Sequence, residues 1–314
     1  MKEVLRFLAA RAIPGLEEAG GGFYRRSLEL ERGAAVLDVR EGGAVDARQG
    51  GAVAPDERAP AAALDEGARL DVPLADERDR PEAVARMRRL LDLDADTARI
   101  DAALGRDPLL GPLVRRRPGL RVPRATDGFE LAVRAVIGQQ VTLAGARRTG
   151  ARLVALCGRP LDEPAGSITH LFPAPHALAQ VDAAELGMPR VRANALRALA
   201  RAVLDGELDL RPTADRAATT GALLALPGIG PWTAAYVAMR ALGDSDAFPP
   251  GDAAVRATLK RLGEDARPAA AQRLAERWRP WRSYALMHLW RADSHDGQPG
   301  GGPGRGGLRW STIG

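Results

Sequence analysis

The chain has 314 residues, room for two or three compact units, and 46% of them are hydrophobic, enough for a sizeable core. Its net charge is +5 and its pI about 10.0, yet no apolar run is long enough for a membrane helix, and the charged start before Pro14 reads as no secretory leader. A lone cysteine, Cys157, excludes an intrachain disulfide, a cysteine-ligated zinc and an iron–sulfur cluster, so a reducing, cytoplasmic setting is expected.

The N-terminal hundred residues differ from the rest. Tyr24-Arg-Arg-Ser-Leu-Glu-Leu-Glu31 alternates and predicts a strand, and Ala34-Ala-Val-Leu-Asp-Val-Arg40 predicts a second, joined through Arg32-Gly33. Glycine pairs after Glu41 and Gln49 mark turns, and Leu70-Asp-Val-Pro-Leu74 reads as a proline-bearing edge strand. Pro55 to Ala68 gives no clear pattern. Pro81 to Leu93 reads as a helix with Val84, Met87, Leu90 and Leu91 on one face.

From about Thr97 strand-like alternation fades and helical signals take over. Helices are expected to begin near Asp127, Pro175, Val191, Thr219, Pro231, Asp252 and Pro268. The glycine- and proline-rich stretch from Gly297 to Gly307 predicts a disordered tail. The expected fold is α+β: a small antiparallel sheet domain over 1–100, a bilobal all-helical core over 101–295, and a tail over 296–314.

The chemistry concentrates between Thr219 and Leu259. An apolar helix ends at Leu226, Pro227-Gly-Ile-Gly230 follows, and Pro231 opens a second helix, giving a hairpin over 219–242. Gly228 and Gly230 can take positive φ and expose their amides, Ile229 can plug into the core, and Pro231 suits a first helical position. Free amides at such a helix start form a phosphate site that grips backbone without reading sequence. A plain helical hairpin with a glycine turn is the simpler alternative.

Asp252 lies in Ala247-Phe-Pro-Pro-Gly-Asp-Ala-Ala-Val-Arg256, before an alanine-rich helix. An N-cap explains it without any chemistry. The same carboxylate could face the positive charge that develops on a deoxyribose ring when an N-glycosidic bond breaks. Both roles are compatible.

The longer string Leu226-Pro-Gly-Ile-Gly-Pro-Trp-Thr-Ala-Ala-Tyr236 resembles the helix-hairpin-helix DNA glycosylases, and most closely their AlkA-type 3-methyladenine branch. The likeness extends to Arg6-Phe-Leu-Ala-Ala-Arg-Ala-Ile-Pro-Gly15, Arg117-Pro-Gly-Leu-Arg-Val-Pro123, Phe129-Glu-Leu-Ala-Val-Arg-Ala-Val-Ile-Gly-Gln-Gln140 and Trp278-Arg-Pro-Trp-Arg-Ser-Tyr-Ala-Leu-Met-His-Leu-Trp290. It implies that Asp252 is catalytic, that Trp232, Tyr236 and Trp290 line the pocket for a flipped-out base, and that Gln139, Gln140, Gly228, Gly230 and Thr233 meet DNA. It also implies a monovalent ion on the carbonyls of Leu224, Leu226 and Ile229. No other cofactor is expected.

Family members that also nick the strand carry a lysine two residues after the hairpin's second glycine. Trp232 stands there, and the only lysines are Lys2 and Lys260. A monofunctional glycosylase acting on alkylated purines in damaged double-stranded DNA is therefore expected, as a monomer. The alternative is a non-catalytic helix-hairpin-helix protein that binds DNA damage.

Overall fold

The computed structural model describes residues 1–41, 62–65, 68–71 and 73–292. The expected tail, the glycine turns after Glu41 and Gln49, and most of the unassigned stretch before Ala68 lie outside the described residues. Among the described residues no helix is long and apolar enough to cross a membrane.

An antiparallel sheet is built from β1 (Glu17–Gly20), β2 (Phe23–Glu29), β3 (Ala34–Glu41), β4 (Ala62–Asp65) and β5 (Ala68–Asp71), in the order β1-β2-β3-β5-β4. The two strands expected from alternation are β2 and β3. They pair with Tyr24 opposite Val39, Arg26 opposite Leu37 and Leu28 opposite Ala35. Side chains two residues apart share a face, so these six residues form one buried surface.

The proline-bearing edge strand expected at 70–74 needs correction. Its core, β5, is flanked by both β3 and β4, and Pro73 falls beyond the ladder, where its missing N–H costs nothing. The edge strand β1 has no apolar alternation in Glu17-Glu-Ala-Gly20, and its ladder is supplied by β2.

The helical part confirms most of the expected starts. Asp127 accepts from Glu130 N at 2.7 Å and caps the helix Gly128–Ile137, and Asp215 accepts from Ala218 N at 2.8 Å and caps Arg216–Ala225. The latter helix therefore starts three residues before the expected Thr219. Strand is not confined to the N-terminal region. A ribbon pairs Pro160–Ala165 with Ile168–His170, and it leans on the sheet through Ser27 Oγ, which donates to the His170 carbonyl at 2.6 Å.

Gly128–Ile137 is the central helix, buried from Phe129 to Ile137 except at Arg134. A helix buried nearly all round belongs inside a core. Gly128 is required there, because a Cβ would stand 2.1 Å from the Leu210 carbonyl oxygen. The sheet and the helices share one continuous hydrophobic core.

Ions cross that core. Arg26 on β2 meets Glu130 at 2.6 Å, Arg134 meets Glu130 at 2.7 Å, and Arg134 also meets Glu17 at 2.7 Å. Burial alone would push the Glu130 carboxyl up, but the Arg26 and Arg134 guanidiniums hold it below the usual carboxylate range. These residues border a cavity of about 80 Å³ between sheet and helices. Removing one partner strands buried charge. Glu130→Ala is expected to lower stability by about 3–5 kcal/mol in urea denaturation; a loss below about 1 kcal/mol would show that the ions do not hold the sheet to the helices.

Candidate active site

The site assembles from the starts of two helices and the end of a third. Trp232 and Tyr236 sit one turn apart on Pro231–Arg240, Asp252 precedes Ala253–Arg261, and Trp290 lies near the end of Arg282–Arg291. Asp252 is buried, with 6% of its surface exposed. Its Oδ1 accepts from Val255 N at 2.9 Å, which is the N-cap bond anticipated from sequence. The same oxygen accepts from Trp290 Nε1 at 3.1 Å, and Oδ2 accepts from Trp232 Nε1 at 2.7 Å.

One carboxylate thus draws both tryptophans together by their polar edges, leaving ring faces for stacking. Trp232 and Tyr236 stack on each other with centroids 5.0 Å apart and planes at 15°. Tyr236 and Trp290 lie 6.4 Å apart at 46°. The Trp232–Tyr236 spacing leaves no room for another ring between them, so a planar ligand would meet the outer faces of the group. Trp278 is 1% exposed, and Trp281 packs partly buried against Tyr284.

Tyr236 is locked from behind. Its hydroxyl accepts from Arg240 Nη1 at 2.5 Å, while Arg240 Nε donates to the Pro123 carbonyl at 2.6 Å and Nη2 to the Arg124 carbonyl at 3.0 Å. Arg11 also contacts Tyr236, and its guanidinium lies 3.6 Å from the Phe7 ring centroid. Burial lowers Arg11 to about 10, which leaves it charged at neutral pH.

The hairpin turn holds a surprise for the expected roles. Gly228 has φ of 79° and its Cβ would stand 3.0 Å from Ala195, so glycine is needed there on both counts. Gly230, however, keeps φ of −96° as the cap of the second helix. Among the described residues, nothing beyond its own chain neighbours and nearby helix backbone lies within 4 Å of a Cβ built on it, so that face is clear for an incoming group. Ile229 is buried as anticipated.

Gln139 and Thr233, expected to meet DNA, turn their side chains to each other. Gln139 Nε2 donates to Thr233 Oγ1 at 3.0 Å and to the Gly228 carbonyl at 2.9 Å, and Thr233 is 1% exposed. Gln140 alone of the glutamine pair is exposed, at a left-handed φ of 55°.

Similarity to known proteins identifies the family. The model of the AlkA N-terminal domain matches residues 1–127, and that of the HhH-GPD superfamily base excision DNA repair proteins matches 133–283. The DNA-3-methyladenine glycosylase 2 of Escherichia coli (strain K12) is 39% identical over 290 residues, covering 91% of this chain and 92% of the relative. The chain belongs to the AlkA-type helix-hairpin-helix DNA glycosylases. A Mycobacterium tuberculosis protein described as a bifunctional transcriptional activator/DNA repair enzyme AlkA is 43% identical over 292 residues, 93% of this chain. The chain spans about half of that relative's length, 54%. The solved 3-methyladenine DNA-glycosylase from Archaeoglobus fulgidus shares the fold with a TM-score of 0.75 at 20% identity, over 93% of this chain and 94% of that one.

Within this AlkA-type site, Arg11 and Arg240 escaped the sequence reading. A signal was present for each: Phe7 and Arg11, like Tyr236 and Arg240, are four residues apart, the spacing that places an aromatic and a cation on one helical face. The carboxylate–indole bonds give a direct test. In a double-mutant cycle, Trp232→Phe and Asp252→Ala should couple by roughly 1–2 kcal/mol in chemical denaturation, whereas additive losses would show that the bond contributes nothing to holding Asp252.

Proposed function

We propose that this chain is a monofunctional DNA glycosylase that removes alkylated purines of the 3-methyladenine type from double-stranded DNA, leaving an intact abasic site. The observation that carries this reading is the buried Asp252 carboxylate held by the indole edges of Trp232 and Trp290 beside the ring of Tyr236. It juxtaposes an anion with an aromatic wall. The anion suits a sugar cation, and the wall suits an electron-poor base.

In this mechanism the lesion rotates out of the duplex against the aromatic group. The bond between C1′ and the base nitrogen breaks, and its electron pair leaves with the base. An alkylated purine is positively charged in DNA, so it departs neutral and requires no strong general acid. The sugar is left as an oxocarbenium-like cation facing Asp252. Water then adds at C1′, and its proton passes through the carboxylate to solvent. A lyase step would need an amine to form an imine. Trp232 occupies the position from which such an amine would act, which supports hydrolysis alone.

The hairpin would grip backbone through the amides at the start of Pro231–Arg240, with the face of Gly230 clear for an incoming group. The carbonyls of Leu224, Leu226 and Ile229 would hold a monovalent cation there. The donor set fits: three neutral oxygens without a carboxylate suit a singly charged ion, and the Leu226 carbonyl, which accepts from Ile229 N at 3.2 Å, retains a second lone pair. When bound, the ion would supply positive charge where the hairpin is proposed to grip a phosphate. Gln140 would enter the groove opposite the extruded base. The protein would act as a monomer in the cytoplasm.

Purified protein on methylated duplex DNA should release 3-methyladenine. Asp252→Asn should slow release by roughly 100- to 1,000-fold while binding abasic DNA as the wild type does, and borohydride should trap no covalent adduct. A trapped adduct would establish lyase chemistry. Tight binding without base release from methylated, deaminated or mismatched DNA would favour a damage-binding protein instead.

A further inference from the structure

Gln139 is bonded at both its side chain and its main chain. It follows the central helix Gly128–Ile137 and Gly138, and it directly precedes the exposed Gln140. Its amide nitrogen reaches two acceptors on the hairpin: the Gly228 carbonyl at 2.9 Å and Thr233 Oγ1 at 3.0 Å. A carbonyl can only accept, so the group facing Gly228 must be the NH2 and not the amide oxygen. The main-chain carbonyl of Gln139 is held as well, accepting from Arg192 Nη2 at 2.8 Å. Arg192 belongs to the helix Arg190–Leu204, whose Ala195 abuts Gly228. Three elements therefore meet at one residue.

Each bond constrains something different. The bond to Gly228 fixes the carbonyl of the left-handed glycine, and so the orientation of the peptide planes of the turn. The bond to Thr233 fixes the third residue of the helix that carries Trp232. The bond from Arg192 fixes the backbone from which Gln140 projects. We infer that Gln139 is a positioning residue that clasps the Gln140 turn to the phosphate-gripping hairpin, so that backbone capture and base extrusion occur at one fixed spacing. This rests on the glycosylase reading above and assigns Gln139 a role inside the protein instead of on DNA.

The clasp accounts for the residue type. Glutamine alone among the uncharged side chains combines two donors with this reach. Glutamate has the same shape but, when ionised, would set an oxygen against the Gly228 carbonyl. Leucine has similar bulk and no donor.

The test uses full-length wild type, Gln139→Leu and Gln139→Glu. The substrates are a methylated purine in a matched duplex and the same lesion opposite an abasic site, each with a neighbouring 2-aminopurine whose fluorescence reports unstacking. On the matched duplex, Gln139→Leu should lose about 10- to 100-fold in single-turnover release, the scale of misplacing a group by roughly 1 Å, and the fluorescence rise should shrink in step. The loss should be clearly smaller on the unpaired lesion, where extrusion is already cheap. Gln139→Glu should resemble Gln139→Leu at pH 8 and recover relative to wild type at pH 5, where protonation restores a donor. Equal losses on both substrates, an undiminished fluorescence rise, or no recovery of Gln139→Glu at low pH would each overturn the clasp. A wild type that raises the fluorescence but releases no base would sink the glycosylase reading alone, with the clasp still decided by fluorescence.

Discussion

The site depends on one small group carrying three bonds. The Asp252 carboxylate caps a helix through Val255 N–H and gathers the indole N–H groups of Trp232 and Trp290. Each tryptophan comes from a different helix, so the carboxylate also sets how those helices approach each other. A buried anion is costly unless donors surround it, and here the donors include the edges of the rings whose faces are proposed to meet a base. Structural cap and proposed chemistry are thus not rival explanations of Asp252. The cap bond uses one oxygen, the shorter indole bond uses the other, and together they leave little freedom to rotate.

Much of this was legible in the sequence, for identifiable reasons. β2 and β3 announced themselves because one face of each is buried throughout and the other only in part, which writes a period of two into the chain. Asp127 and Asp252 marked helix starts because capping is a local bond between a residue and the third one after it. The hairpin stood out because a left-handed position and a close approach to Ala195 both demand Gly228. The weaker expectations concerned contacts between distant segments. β1 owes its conformation to β2, and nothing within Glu17-Glu-Ala-Gly20 says so. The bonds of Gln139 inside the protein were hidden because its partners, Gly228 and Thr233, lie about ninety residues away.

Charge around the aromatic group is arranged in layers. Immediately behind Tyr236 stand two guanidiniums, and a proposed substrate of positive charge might be thought unwelcome there. Arg240, however, spends its donors on the Tyr236 hydroxyl and two main-chain carbonyls, so its field is partly answered before it reaches the rings. Asp252 supplies the negative charge of the same group, buried and bonded to both tryptophans. Cations beside Tyr236 and an anion beside the tryptophans suit the proposed reaction, in which positive charge moves off the base and onto the sugar.

The ion cluster between the sheet and Gly128–Ile137 has a mechanical consequence. Arg26 and Glu17 hold that helix near its start through Glu130 and along its length through Arg134, while Gln139 and Gln140 follow its far end. A ten-residue helix is a rod of about 15 Å. The sheet therefore behaves as a keel: β1 and β2, which carry Glu17 and Arg26, set the heading of the rod whose tip meets the hairpin. Small changes in the sheet would be felt as a change of angle at Gln140, at a distance and without any altered contact in between.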